Sequence, residues 1–175
     1  MPPKIRTRQE LVRLTPAERR VAALLVAGLG NSQIAERLGL STGSVTGHLR
    51  HISRKFPAAL TREAKAHAIL CARQVAPPPA PKDVPKLTEF DLRLLRAVAE
   101  LPSTHDIAHA AGVAVTDTRP AIQDLVRKTN ATNAVHLVGH AHAWGLLGDA
   151  TVPPHQSPAA LPPELSAARL AVTGR

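Results

Sequence analysis

The chain has 175 residues, 44% of them hydrophobic but only 2% aromatic, with no Tyr and a single Trp144, so small all-helical units with cores of Leu, Val, Ile and Ala are expected. Lys and Arg number 22 against 13 Asp and Glu, and the net charge of +9 and pI near 11.0 favour an acidic partner, nucleic acid ahead of an anionic membrane surface. No apolar run approaches the ~20 residues of a membrane span, the basic N-terminus lacks a signal-like apolar stretch, and one cysteine, Cys71, excludes an internal disulfide; a reduced, cytoplasmic compartment is expected.

Residues 1–13 carry Lys4, Arg6, Arg8 and Arg13, a basic arm that either lies along phosphates or only solubilises the chain. Residues 14–75 read as a first domain. Thr15 is placed as an N-cap, Pro16 at the first helical position and Glu18 as the third member of a capping box. Val21, Leu24, Leu25 and Leu29 supply that helix's buried side, and Gly28 with Gly30 ends it. Asn31 is expected to cap a second helix, whose Ile34, Ala35 and Leu38 share a face and whose exit needs the positive φ that Gly39 tolerates. After Ser41, residues Val45, Leu49, Ile52 and Phe56 form one apolar stripe, leaving Ser44, Thr46, Gly47, Arg50, His51 and Arg54 outward. A helix small near its start, basic further along and pressed onto two supports is what a DNA major groove admits. Pro57 then breaks the pattern, and Thr61 caps a fourth helix along Ala64, Ala68, Ile69 and Ala72 that ends near Gln74.

Residues 76–86, APPPAPKDVPK, contain five prolines and read as an extended linker able to hold two domains ~30 Å apart. Residues 87–148 repeat the first domain. At an offset of 73, Leu14-Thr15 falls on Leu87-Thr88, Ile34-Ala35 on Ile107-Ala108, Gly39 on Gly112 and Arg54-Lys55 on Arg127-Lys128. Thr88 with Asp91 and Ser103 with Asp106 give cap-like starts, and a last helix is expected from about Asn133 to Leu147. Residues 149–175 form a Pro/Ala-rich tail in which only Pro163 to Val172 suits a short helix. The small-faced fourth helices, Thr61 to Gln74 and Asn133 to Leu147, suit close packing within one chain or between chains. Pairing between chains into a homodimer is the expectation, because a palindromic site suits two identical readers.

Residues 14–56, LTPAERRVAALLVAGLGNSQIAERLGLSTGSVTGHLRHISRKF, resemble the LuxR-type (GerE-like) DNA-binding domain of bacterial transcription regulators. The places of the family pattern hold Leu14, Thr15, Glu18, Ala27, Gly28, Ile34, Ala35, Leu40, Ser41, Ser44, Val45, Thr46, His48, Ile52, Lys55 and Phe56. Thr46 stands where the family usually has Lys, and one extra residue lies between Lys55 and Arg62. The resemblance implies that Thr46, Gly47 and Arg50 approach base edges, with Arg50 chemically suited to a bidentate contact to guanine. Ser32, Gln33, Thr42, Ser44, His51, Arg54 and Lys55 suit backbone phosphates.

The second unit resembles the family more weakly, through Leu87, Thr88, Ile107, Ala108, Gly112, Val113, Lys128 and the Asn130 to Asn133 loop. Ala114 replaces the Ser, Ala121 the His, Pro120 enters the helix, and Asp117 and Asp124 bring negative charge. Residues 1–76 hold 13 basic and 4 acidic side chains, residues 77–175 hold 9 of each, so all the net charge lies in the first half. Arg119, Arg127 and Lys128 leave the second unit some capacity for a secondary DNA contact.

The expected fold is therefore all-α, two tandem four-helix LuxR-type helix-turn-helix domains joined by a Pro-rich linker. The expected function is sequence-specific regulation of transcription on double-stranded DNA, with the second unit mediating dimerisation or protein contact. The competing reading is an interaction protein that docks on RNA polymerase or another regulator and uses DNA as a weak anchor. No nucleophile turn, phosphate loop or carboxylate pair points to catalysis, and no cofactor is expected. His67 and Cys71 lie four apart, as do His136 and His140, but two ligands do not make a metal site, and none is expected. His136, His140 and His142 read as surface or seam residues. Trp144 reads as a core anchor, with a partner-binding role as the alternative.

Overall fold

The structure, a computed structural model, describes residues 13–148; the arm through residue 12 and the tail from residue 149, with its expected short helix, lie outside them. Eight helices and no strand are found among the described residues: α1 (Pro16–Val26), α2 (Asn31–Leu38), α3 (Thr42–Lys55), α4 (Arg62–Cys71), α5 (Glu89–Glu100), α6 (Thr104–Ala111), α7 (Val115–Lys128) and α8 (Ala134–Ala143). Helix starts repeat at the offset of 73, Pro16 against Glu89, Asn31 against Thr104 and Thr42 against Val115.

Local chemistry explains these starts. The Thr15 hydroxyl accepts from the Glu18 amide at 3.3 Å while the Glu18 carboxylate accepts from the Thr15 amide at 2.8 Å; Thr88 and Asp91 repeat the exchange at 3.2 and 2.8 Å. Each box reciprocally satisfies donors that a helix N-terminus would otherwise leave open. For α2 the cap is Gly30 rather than the expected Asn31. Gln33 Oε1 accepts from the Gly30 amide at 2.9 Å, and the Asn31 side chain accepts from Arg62 at 2.8 Å. Arg62 also donates to the Leu29 carbonyl and so fastens the start of α4 to the turn between α1 and α2.

Each capping carboxylate holds a lysine from the third helix of its unit, Lys55 on Glu18 at 2.6 Å and Lys128 on Asp91 at 2.5 Å. Burial alone would raise the pKa of both acids. The lysine and the capping threonine outweigh it, and both pKa values fall below the ordinary 4.5 of Glu18 and 3.8 of Asp91. A lowered folded-state pKa contributes stability that is fully present above those ordinary values and is lost as pH falls through the folded ones. Glu18→Gln is accordingly expected to cost about 2 kcal/mol at neutral pH. It should also shrink the stability lost on acidification, as denaturant unfolding at neutral pH and at about pH 3 would reveal; an unchanged acid profile would mean the pair contributes nothing.

The two four-helix units share one continuous core running from Leu14 to Leu147. The expected extended linker is thereby corrected, since Pro78 within it is packed into the fold. Pro78 is buried against α8 at Gly139, where an added Cβ would lie 2.6 Å from both Pro78 Cγ and the Val26 carbonyl. The Trp144 indole donates to the Pro81 carbonyl at 2.9 Å, so that side chain ties the linker to the end of α8. Across the same junction the Asn133 amide caps the start of α8 with its oxygen and donates to the Gly28 carbonyl at 2.7 Å.

Of the two packings open to the small-faced fourth helices, the one within the chain is present. α4 packs chiefly on α8 and α5 of its own chain, burying Ala64, Ala66, Ile69 and Leu70, while α8 buries Val135, Leu137, Val138, Gly139 and Ala141. Small side chains let the two axes approach, and a linker folded back on α8 brings the helices together without a second chain.

Candidate nucleic-acid interface

α2 ends at Gly39, whose φ of +63° turns the chain out of the helix, and Ser41 starts α3 by accepting from the Ser44 amide at 3.0 Å. Val45 and Ile52 are fully buried, Leu49 and Phe56 pack beside them, and both α1 and α2 support this face. The opposite face is thereby set outward. Thr42, Ser44, Thr46, Arg50, His51 and Arg54 are exposed along it, with Gly47 half-buried between them. Ser32 and Gln33 are exposed on the first turn of the supporting helix.

The outward side chains differ in how committed they are. None of the three ion pairs among the described residues involves Arg50 or Arg54, so both guanidiniums retain their full set of donors. The Thr46 hydroxyl donates to the Thr42 carbonyl at 2.9 Å, and Ser44 shares a 2.9 Å hydrogen bond with Ser41; each hydroxyl oxygen can still accept. Gln33 uses its Oε1 on Gly30, which leaves its carboxamide NH₂ for a phosphate. Lys55 departs from expectation. Its ammonium is held by Glu18 and by the Arg13 carbonyl at 2.8 Å, so it braces α3 against α1 and stands apart from the outward set.

Among the described residues, no heavy atom beyond its own helix backbone and chain neighbours lies within 4 Å of where a Gly47 Cβ would project, so these residues place no demand for glycine there. Gly47→Ala is expected to stabilise the chain by about 0.5–1 kcal/mol, the helix-interior preference for alanine, while weakening operator binding if a backbone or base edge approaches that point. Melting and binding measured on the same variant should therefore move in opposite directions; a gain in both would remove Gly47 from the contact surface.

The corresponding helix α7 differs in its chemistry. Ala114 gives it no side-chain cap, Val115 is exposed, and Pro120 lies inside it. Thr118 occupies the buried place of Val45 and satisfies its hydroxyl on the Ala114 carbonyl at 3.1 Å. Asp117 and Asp124 are exposed as the alignment of the two halves requires. Arg127 pairs with Asp124, and Lys128 holds Asp91, so among the three secondary candidates only Arg119 is in none of the ion pairs. Like charge at Asp117 opposes phosphate, and the two engaged cations are already partly neutralised.

Residues 12–68 match the model of the GerE family, described as bacterial regulatory proteins, luxR family. The match spans α1 to α3 and most of α4, and ends before the linker. No curated protein and no solved structure matches the chain.

Proposed function

From the premise that residues 12–68 form a LuxR-type helix-turn-helix domain, we propose that the chain is a sequence-specific DNA-binding regulator of transcription. In this reading α3 enters the major groove. Thr46, Gly47 and Arg50 face base edges, and Ser32, Gln33, Thr42, Ser44, His51 and Arg54 meet the backbone. The observation that carries it is the outward face of α3, where Arg50 and Arg54 stand exposed and outside the ion pairs found among the described residues, on a helix buried along its other side. Phosphate neutralisation supplies most non-specific affinity, and the excess of basic residues lies in the same half as this helix.

The second unit is in this reading a degenerate copy that braces α4 and presents a neutral surface to protein, RNA polymerase being one candidate. The exposed Asp117 and Asp124 on its α7 suit that role better than a second groove. Selection of bound sequences from random DNA by the purified chain tests the proposal. A recurrent motif, bound with an affinity that falls steeply with salt by about 0.9 log units per log unit of salt for each phosphate contacted, is the expected result. Absence of any preferred sequence would overturn it in favour of a protein-docking role with weak DNA anchoring.

A further inference from the structure

Sequence spacing pairs His67 with Cys71, and His136 with His140, and finds only two ligands in each place. Folding joins the first pair to a different histidine. His67 and Cys71 occupy the same face of α4 one turn apart, and packing of α8 on α4 brings His142 over them. His67 Nδ1 lies 2.9 Å from His142 Nε2, the rings are 5.0 Å apart between centroids, and Cys71 Sγ lies 3.6 Å from His67 Nε2 and 3.9 Å from Nδ1. One ligand atom from each of the three residues falls within 4.8 Å of the other two.

We propose that His67, Cys71 and His142 bind one divalent ion of the Zn²⁺ class across the seam between α4 and α8. A tetrahedral centre with bonds of ~2.0 Å to nitrogen and ~2.3 Å to sulfur sets its ligand atoms roughly 3.3–3.6 Å apart. The observed separations bracket that range, so small side-chain rotations suffice. Two imidazoles and a thiolate suit zinc by ligand type, whereas magnesium or calcium would demand oxygen. Three protein ligands leave the fourth position to water. Burial keeps both imidazoles neutral, His142 with its pKa lowered to about 4 by desolvation and by neighbouring His67, which leaves lone pairs for a metal. Cys71 is exposed, and His142 also lines an open cleft with Arg73 and Gln74, so an ion has a way in. The Glu100 carboxylate adds a favourable negative field at His67.

The consequence is structural regulation. Because His67 and Cys71 belong to the DNA-reading unit and His142 to the second, an ion held by all three ties the units together, and occupancy stabilises that arrangement by mass action. The same ion has no reason to touch α3.

The test uses the full chain, stripped with a chelator and titrated with Co²⁺ as a spectroscopic probe and with Zn²⁺ by calorimetry. One ion per chain, a thiolate-to-cobalt charge-transfer band, and a Zn²⁺-dependent rise in melting temperature are expected. Cys71→Ser should abolish the band, and Cys71→Ser and His142→Gln should each weaken Zn²⁺ binding by about tenfold or more, whereas His136→Gln should leave it unchanged. Cobalt binding without the charge-transfer band, or Zn²⁺ affinity unaffected by both ligand substitutions, would overturn the site. DNA selection with the stripped chain is a separate readout, so failure of metal binding leaves the DNA-binding reading intact.

Discussion

Arg50→Ala lowers affinity for the selected operator by about 1–3 kcal/mol, roughly 5- to 150-fold, and relaxes preference at one base pair. The magnitude follows from what the side chain does not do in the free protein. Arg50 is exposed and takes part in none of the ion pairs among the described residues, so its removal forfeits no packing and leaves no buried charge behind. Melting should stay within about 0.5 kcal/mol of the parent, as for most surface substitutions. Arg54→Ala is the informative companion. A phosphate contact should weaken binding uniformly across sequences and reduce the salt slope by about 1, leaving the preferred sequence as it was. If Arg50→Ala binds the operator with unchanged affinity and preference, α3 is not the reading helix.

Most of what positions that face is local, and local features are legible in a sequence. The Thr15 to Glu18 and Thr88 to Asp91 boxes depend on residues three apart, the Gly39 exit on one residue, and the Val45, Ile52 stripe on helical period. Each could be read before any tertiary contact was known. Asn31 looks like a cap by residue type, but its side-chain oxygen is engaged by Arg62, 31 positions later, and the cap falls one residue earlier, on Gly30.

What the sequence conceals is non-local. Lys55 reads as a phosphate ligand by type and register, and only the packing of α3 on α1 reveals that Glu18, 37 positions earlier, has already engaged it. The repeat of that tie at Asp91 and Lys128 was available in the 73-residue offset but carries no local pattern that identifies it as an ion pair. The histidines illustrate the same limit, since the i, i+4 spacing of His136 and His140 draws attention away from His142, the residue that meets His67. Five prolines correctly deny the linker helix and strand. They say nothing of whether an extended segment stands free or lies against a helix, a question decided by Gly139 making room for Pro78.

Gly139 therefore offers the sharpest measure of how firmly the two units are joined. In an open helix, replacing glycine by alanine stabilises by about 1 kcal/mol, and Gly47, with empty space about it, is expected to behave so. At Gly139 a Cβ would come within 2.6 Å of the Val26 carbonyl oxygen and of Pro78. The carbonyl belongs to the last residue of α1 and cannot recede without moving the helix, so the methyl must push α8 and the proline strap away from the first unit. Overpacking of this kind costs about 1–3 kcal/mol, enough to reverse the helix-propensity gain. Gly139→Ala should melt about 5 °C or more below the parent while Gly47→Ala melts above it, and Gly139→Ala should retain the operator preference of α3 at temperatures where it is folded. The opposite sign from one chemical substitution separates close packing from propensity. A Gly139→Ala protein that melts higher than the parent would mean that α8 does not lie against α1 and the linker in solution.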